Sequence, residues 1–285
     1  MNWLLLSIGF SVVNFLLFRQ FERWKINTLV AVATNYISCI LLGWWLQGDL
    51  PRIHLTTPWL PWAAFIGLLF VSMFVLIGLS AQKLGVNITT VAAKMSFVIP
   101  MSLAYGLYQS KFEPLHALAL LLALAAIALS SSRNYSQKAE PWRWVLPMSI
   151  FLGGGMADAT LNYVEVKLLA PADQGVFLMV LFGTSGVFGW LGLGIRALQG
   201  KREIELKSML AGLGLGISNF LTVFALLQAF SSELPGAFIF PLLNVGTIVL
   251  AALGAWWLFK EQPKGKQWAG LAAALLAILV YSWQT

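Results

Sequence analysis

Apolar runs of about 17 to 25 residues recur along this chain, and that is the length at which a helix crosses the roughly 30 Å hydrocarbon core of a bilayer. Ten of them occupy approximately 3–18, 27–47, 59–81, 87–108, 115–131, 144–166, 175–196, 208–229, 236–258 and 267–283. A chain that is 59% hydrophobic and only 10% charged, against about 25% charged in soluble domains, has no aqueous way to cover so much apolar surface. Sequence therefore predicts an all-α integral membrane protein of ten transmembrane helices. Its partners are the lipid bilayer and, through whatever the helices enclose, a small molecule.

The breaks between runs are short and carry turn residues, as in "GDLPRIHLTTP", "QSKFEP", "APADQG", "SSELPG" and "EQPKGK". None is long enough to fold as a domain, so function resides in the spans. The most polar break, over residues 132–143, separates a first block of five runs (1–131) from a second (144–285). The first run lacks a basic n-region and a small-residue cleavage site, and reads as a retained helix.

Several chemistries fall away at once. The single Cys39 excludes an intramolecular disulfide framework or a cysteine metal cluster, and His54 and His116 form no ligand pattern. "GGG" at 153–155 neither follows a strand nor precedes a Lys-Ser/Thr pair, so it is no phosphate loop. No cofactor, metal or catalytic motif is expected. The net charge of +7 suggests nucleic acid only until the basic residues are placed. Fourteen of the eighteen Lys and Arg lie in loops after odd-numbered runs, three (Arg52, Lys111, Lys167) lie on the other side, and Lys94 lies within a run. That bias reflects topology, and it places the odd-numbered loops in the cytoplasm and both termini outside.

The two blocks match one another in order. "SVVNFLLFR" (11–19) lies over "ATLNYVEVK" (159–167), pairing Asn14 with Asn162, Phe15 with Tyr163 and Arg19 with Lys167. Ser72, Phe74 and Gln82 lie over Ser218, Phe220 and Gln228, and Gly85 over Gly236. Because five is odd, a duplicated second copy inserts upside down, giving two inverted five-helix repeats, an arrangement shared by many secondary transporters.

At this point the chain resembles the drug/metabolite transporter superfamily, in its ten-helix EamA-type form. The segment "FPLLNVGTIVLAALGAWWLFKEQPKGKQWAGLAAALLAILV" (240–280) is similar to the end of that family's repeat, with Glu261 at a helix exit and Gln267 and Gly270 opening the last helix. The first repeat has Ser110 and Ala119 at the positions of Glu261 and Gly270, so the glutamate occurs once. The resemblance implies a central cavity lined by spans 1, 3, 4, 6, 8 and 9. It also implies both termini in the cytoplasm, opposite to the charge count.

Within the spans, charge is the informative rarity. Lys94, in "VAAKMSFVIP", is about 10 Å below the surface at 1.5 Å per residue, where an ammonium costs about 2.5 to 3.5 kcal/mol at a helix centre. It either snorkels to the headgroups or faces a polar cavity, and "KMS" followed by Pro100 favours the cavity. Asp158 is the matching deep acid. Glu165 lies seven residues on, beside Lys167, either as an interfacial anchor or, with Asp158, as an ion-coupling carboxylate. Asn14, Asn162, Asn219 and Asn244 are buried amides that either line a path or glue helices. Tyr163, with Tyr105, Tyr108 and Phe97, either stacks a ring-bearing solute or, as is commoner for aromatics at helical spacing, faces lipid or the core. Twelve of the thirteen tryptophans, Trp59 among them, cluster at span ends as interfacial belts do.

The expected function is secondary transport, export or exchange of a small polar, charged or zwitterionic metabolite such as an amino acid, by alternating access around a midplane cavity. Lys94, Asp158, Asn14, Asn162, Tyr163, Asn219 and Asn244 are the candidate solute-binding residues. An intramembrane enzyme acting on a lipid-linked group, with Asp158 and Glu165 as acid and base, and a ligand-binding receptor or channel-like module stand as alternatives. A chain holding both halves of its site is expected to work as a monomer.

Overall fold

The computed structural model of the protein describes residues 2–47, 57–100, 114–131, 142–170, 173–200, 204–230, 236–261, 263 and 265–282. Among these there are α-helices and no strand: α1 (Asn2–Arg23), α2 (Thr28–Gln47), α3 (Leu60–Leu84), α4 (Val86–Met95), α5 (Pro114–Ser131), α6 (Trp142–Lys167), α7 (Gln174–Leu198), α8 (Leu206–Phe230), α9 (Gly236–Phe259) and α10 (Lys266–Ser282). Seven, namely α1, α2, α3, α6, α7, α8 and α9, contain a stretch long and apolar enough to cross a membrane. The protein is thus a multi-pass membrane protein.

Its outer surface argues the same way. Leu5, Leu6, Val187, Leu191, Ile195 and Trp257 are all exposed, and such apolar residues in rows along several helices are stable only against lipid. Small and polar residues turn inward instead. Ser7, Ser11, Asn14, Thr34, Asn35, Ser38, Ser185, Ser218 and Asn219 are buried, because helices in lipid gain little from burying Leu and adhere through close packing and hydrogen bonds. Trp59 departs from the expected interfacial belt. It is buried at the head of α3 and packs edge-on against Phe177 of α7, ring centroids 5.6 Å apart.

α2 lies in a groove between α7 and α8 that glycines make shallow. A Cβ on Gly189 would stand 3.0 Å from the Ala33 Cα, and one on Gly216 would stand 2.8 Å from both the Asn35 carbonyl carbon and Ser38 Cβ. The closeness lets Ser38 donate to the Leu213 carbonyl (3.0 Å) and Asn219 Nδ2 donate to Asn35 Oδ1 (2.9 Å). Around this seam a core of Phe18, Phe21, Tyr36, Phe182, Leu215 and Phe220 joins α1, α2, α7 and α8. The other principal pairings are α1 with α8, α9 and α3; α3 with α7, α6 and α4; α4 with α9, α6 and α5; and α5 and α9 with α10.

Short connections force neighbouring helices to reverse. The α1 to α2 turn is built on Lys25, at φ 54°, with the Lys25 N–H on the Glu22 carbonyl and the Ile26 N–H on the Phe21 carbonyl. That is the hydrogen-bond pattern of a Schellman cap, which usually carries glycine at the left-handed residue. Asn27 then caps α2, its Oδ1 accepting from the N–H groups of Leu29 (3.0 Å) and Val30 (3.3 Å). Because a left-handed lysine costs about 1 kcal/mol against glycine at such a cap, Lys25→Gly should raise the thermal midpoint in detergent. A lowered midpoint would mean that the Lys25 side chain stabilises the turn.

Candidate functional site

α4 is interrupted where the sequence expects one continuous span over 87–108. The helix stops at Met95, Ser96 and Phe97 form a turn, and helical backbone resumes at 98–100; residues 101–108 lie outside the described residues. Pro100 supplies the reason. It has no N–H to give, and its ring crowds the carbonyl four residues earlier, which is that of Ser96. The Ser96 carbonyl accepts from the Ile99 N–H instead, at 3.0 Å. The interruption falls two residues after Lys94.

α6 closes on this broken stretch through Gly153, Gly154 and Gly155. A Cβ at Gly153 would stand 2.5 Å from Met73 Cε of α3, one at Gly154 3.3 Å from Ser96 Oγ, and one at Gly155 2.6 Å from Ile99 Cβ. The three glycines are thus the places where α3 and both sides of the α4 break reach the α6 backbone.

One turn beyond them is Asp158. Val145, Met148, Leu152, Met156 and Tyr163 form the exposed apolar stripe of α6. Asp158 follows Met156 by two residues, about 200° around the helix, and so points away from lipid. The residue is nonetheless exposed, so this face of α6 is not closed over by packed protein. The Ser96 hydroxyl lies 3.3 Å from Asp158 Oδ2 and 2.7 Å from the Ala93 carbonyl, two acceptors for one proton. Lys94 and Asp158 feel one another electrostatically, yet no ion pair of 4.0 Å or less joins them among the described residues. The structure therefore brings two of the candidates near one another, within electrostatic reach but not in an ion pair.

The other candidates go elsewhere. Asn14 belongs to a seam between α1 and α8: its Nδ2 donates to Thr222 Oγ1 (3.3 Å), while Ser7 donates to the Thr222 carbonyl (2.9 Å) and Ser218 to the Phe10 carbonyl (3.1 Å). Asn219 belongs to the α2 seam, where it also reaches Cys39 Sγ at 3.7 Å. Tyr163 is on the lipid-facing stripe and packs on Trp62 of α3, centroids 5.4 Å apart. Asn244 is buried on α9. Asn162 and Glu165 are on α6 one and two turns past Asp158, their side chains outside the described residues, as are Tyr105 and Tyr108. Ser96, the group that touches Asp158, was not among the expected residues. Its signal is the pair Lys94 and Ser96 just ahead of Pro100.

A second polar node sits at the end of the bundle where α1, α3 and α9 finish. Lys260, at φ 58°, turns the chain out of α9 and aims Glu261 back inward. Glu261 Oε1 meets Arg19 Nε of α1 at 2.8 Å, and Oε2 accepts from the Val86 N–H at 2.9 Å, at the first turn of α4. Gly85, at φ 97°, is the only residue between α3 and α4, and a Cβ there would stand 2.8 Å from Glu261 Oε2. Arg19 Nη1 also donates to the Gln82 carbonyl and pairs with Glu22. Arg23 donates to the Leu258 carbonyl (3.3 Å) and lies over the Phe259 ring. Sequence marked Glu261 by resemblance alone. Its partners are visible only in three dimensions.

Comparison with known proteins adds coverage but no function. No protein-family model matches the chain. A protein of Haemophilus influenzae, described as an uncharacterized protein, is 23% identical over 288 residues, spanning 98% of this chain and 96% of its own. The similarity therefore runs through all the helices.

Proposed function

We propose that the protein is a secondary transporter, exporting or exchanging a small polar solute that carries charge, such as an amino acid, by alternating access. The observation that carries this is the Lys94 and Asp158 pair, opposite charges left apart in the interior beside a broken helix. Intramembrane charges cost enough that they mark solute or ion paths, and discontinuous helices offer polar backbone at the depth where transporters bind. A zwitterion fits the gap by placing its carboxylate on Lys94 and its amine on Asp158, and Asp158 is also the group suited to carry a coupled proton.

The packing supports the duplicated architecture read from sequence, with all ten helices crossing the bilayer. Exchange each helix of the first five with the helix five later: the α2 and α8 contact becomes α7 and α3, α1 and α8 becomes α6 and α3, α1 and α9 becomes α6 and α4, and α4 and α5 becomes α9 and α10. All are principal pairings. The α2 and α7, α4 and α9, and α5 and α10 pairs map onto themselves. These matched pairings fit the EamA-type arrangement of the drug/metabolite transporter superfamily; orientation is taken from the charge count, which puts the basic end of the bundle in the cytoplasm, opposite to that family's habit.

Purified protein in proteoliposomes loaded with unlabelled amino acid should draw in labelled amino acid by counterflow and transiently concentrate it. Uptake that only equilibrates would indicate a channel. A chemically altered product or lipid would indicate an enzyme.

A further inference from the structure

Left-handed backbone suits glycine, and Gly85, Gly200 and Gly265 adopt it at φ 97°, 81° and 49°. Among the described residues two others share it, and both are lysines, Lys25 at φ 54° and Lys260 at φ 58°. Each stands just past a helix end, Lys25 beyond α1 and Lys260 beyond α9. A side chain held in that conformation is strained, and strain of this kind points to a function. The ordinary work of a cation at a helix end is to meet the last carbonyls, and other residues do it here. Arg23 donates to the Leu258 carbonyl at 3.3 Å and lies 4.8 Å over the Phe259 ring, and Lys207 donates to the Trp24 carbonyl at 2.7 Å. The ammonium groups of Lys25 and Lys260 are exposed and make no hydrogen bond or ion pair with a described residue.

The two helix ends form one surface. α1 packs on α9, and Arg23, two residues before Lys25, reaches the carbonyl two residues before Lys260. Arg19 takes up the Glu22 and Glu261 carboxylates, which leaves Arg23, Lys25 and Lys260 as cations that no described carboxylate meets. Beside them Trp24, Trp256 and Trp257 are exposed, and tryptophans at span ends sit at headgroup depth. We propose that this surface binds the phosphate of an anionic phospholipid, seated between the ends of α1 and α9 with Arg23, Lys25 and Lys260 as its cations. The bilayer brings the occupant to the patch, and its charge is complementary. A guanidinium with two ammonium groups suits a phosphate, which accepts several charge-assisted hydrogen bonds at once. The site does not depend on which solute the protein moves. A lipid seated there joins one helix from each half of the chain, and so stabilises the folded bundle as any ligand of the folded state does.

The test is a thermal-unfolding titration of detergent-purified protein with phosphatidylglycerol, and with phosphatidylcholine as the neutral counterpart. Phosphatidylglycerol should raise the parent's midpoint and phosphatidylcholine should not, and about 1 M NaCl, where the screening length falls to about 3 Å, should remove the difference. Lys25→Gly and Lys260→Gly should each weaken the apparent phosphatidylglycerol affinity by about fivefold, the factor carried by one cation near a membrane surface. In lipid-free detergent the same variants should have raised midpoints, because glycine relieves the left-handed strain. That change of sign separates binding from folding. If a glycine variant does not assemble, Lys25→Gln, which removes only the charge, should show the fivefold loss. Lys266→Gln tests for diffuse charge: it opens α10 at the same end, α10 is not among the helices that pack on α1, and its loss should stay below about twofold. Equal responses to the two lipids, unchanged affinity in the Lys25 and Lys260 variants, or an equal loss in Lys266→Gln would each overturn the site. A Lys25→Gly midpoint already lowered in lipid-free detergent would overturn it as well, by assigning that lysine to the turn. Inorganic phosphate that stabilises as much as phosphatidylglycerol would overturn a lipid as the ligand.

Discussion

If Lys94 and Asp158 bind the solute as proposed, Asp158→Asn and Lys94→Ala should each abolish measurable counterflow and weaken solute binding by about tenfold to a hundredfold. The size follows from one hydrogen bond to a charged group, about 1.5 to 3 kcal/mol, at 1.4 kcal/mol per factor of ten. The two substitutions also differ. Asparagine keeps the size of Asp158 and still reaches Ser96, so the fold should survive and the loss should lie in recognition of the cationic end of the solute. Lys94→Ala removes the proposed anion partner and keeps Asp158, so a cationic analogue lacking a carboxylate should bind it nearly as well as it binds the parent. Ligand-induced thermal stabilisation checks both, since a ligand that binds the folded state raises its midpoint in proportion to affinity. Equal stabilisation of parent and both variants by every zwitterion tried would move the site away from α4 and α6.

The largest effect on stability is expected at Gly216, remote from those charges. Gly216→Ala drives a methyl group into the carbonyl carbon of Asn35 and the Cβ of Ser38. Both belong to α2, which lies in the groove that Gly216 lines, and neither is the loose end of a flexible side chain. Overpacking of this kind costs about 1 to 3 kcal/mol, and the cost grows here because separating α2 from α8 also stretches the bonds from Ser38 to Leu213 and from Asn219 to Asn35. Gly183→Ala is the matched control, since a Cβ there meets nothing within 4 Å and alanine is the better helix former. The first variant should lose several degrees in detergent and the second should lose none. Equal midpoints would mean that the α2 seam relaxes freely.

Sequence carried the large features because the bilayer demands them. Apolar runs of spanning length are unavoidable, and the helices fall on them. The break in α4 was half legible, since Pro100 and the polar pair ahead of it announce irregularity without saying which peptide yields. What could not be read was rotation. Soluble helices reveal their buried face by period, whereas a lipid-exposed face is as apolar as a packed one, so Tyr163 looked fit for a cavity until Met156 and Leu152 showed which way its stripe turns. Asn14 and Asn219 stayed ambiguous in sequence for a related reason. A buried amide signs a polar contact in the same way whether the partner is a solute or, as here, Thr222 and Asn35. Glu261 stood out only through a resemblance, and Arg19 and Val86 are distant in sequence with nothing local to link them.

The single-residue joint at Gly85 turns α4 into a lever. Val86 to Met95 is a rod about 15 Å long, joined to α3 by one residue at one end and uncoupled at the other from the helical stretch beyond by the Ser96 and Phe97 turn. Lys94 rides near the far end, so a tilt of about 10° about the joint would carry its ammonium some 2 Å, by the length of the rod. A movement too slight to unpack α3 is thus enough to widen or shut the distance between the two interior charges, and whatever steadies the joint sets their separation from a distance.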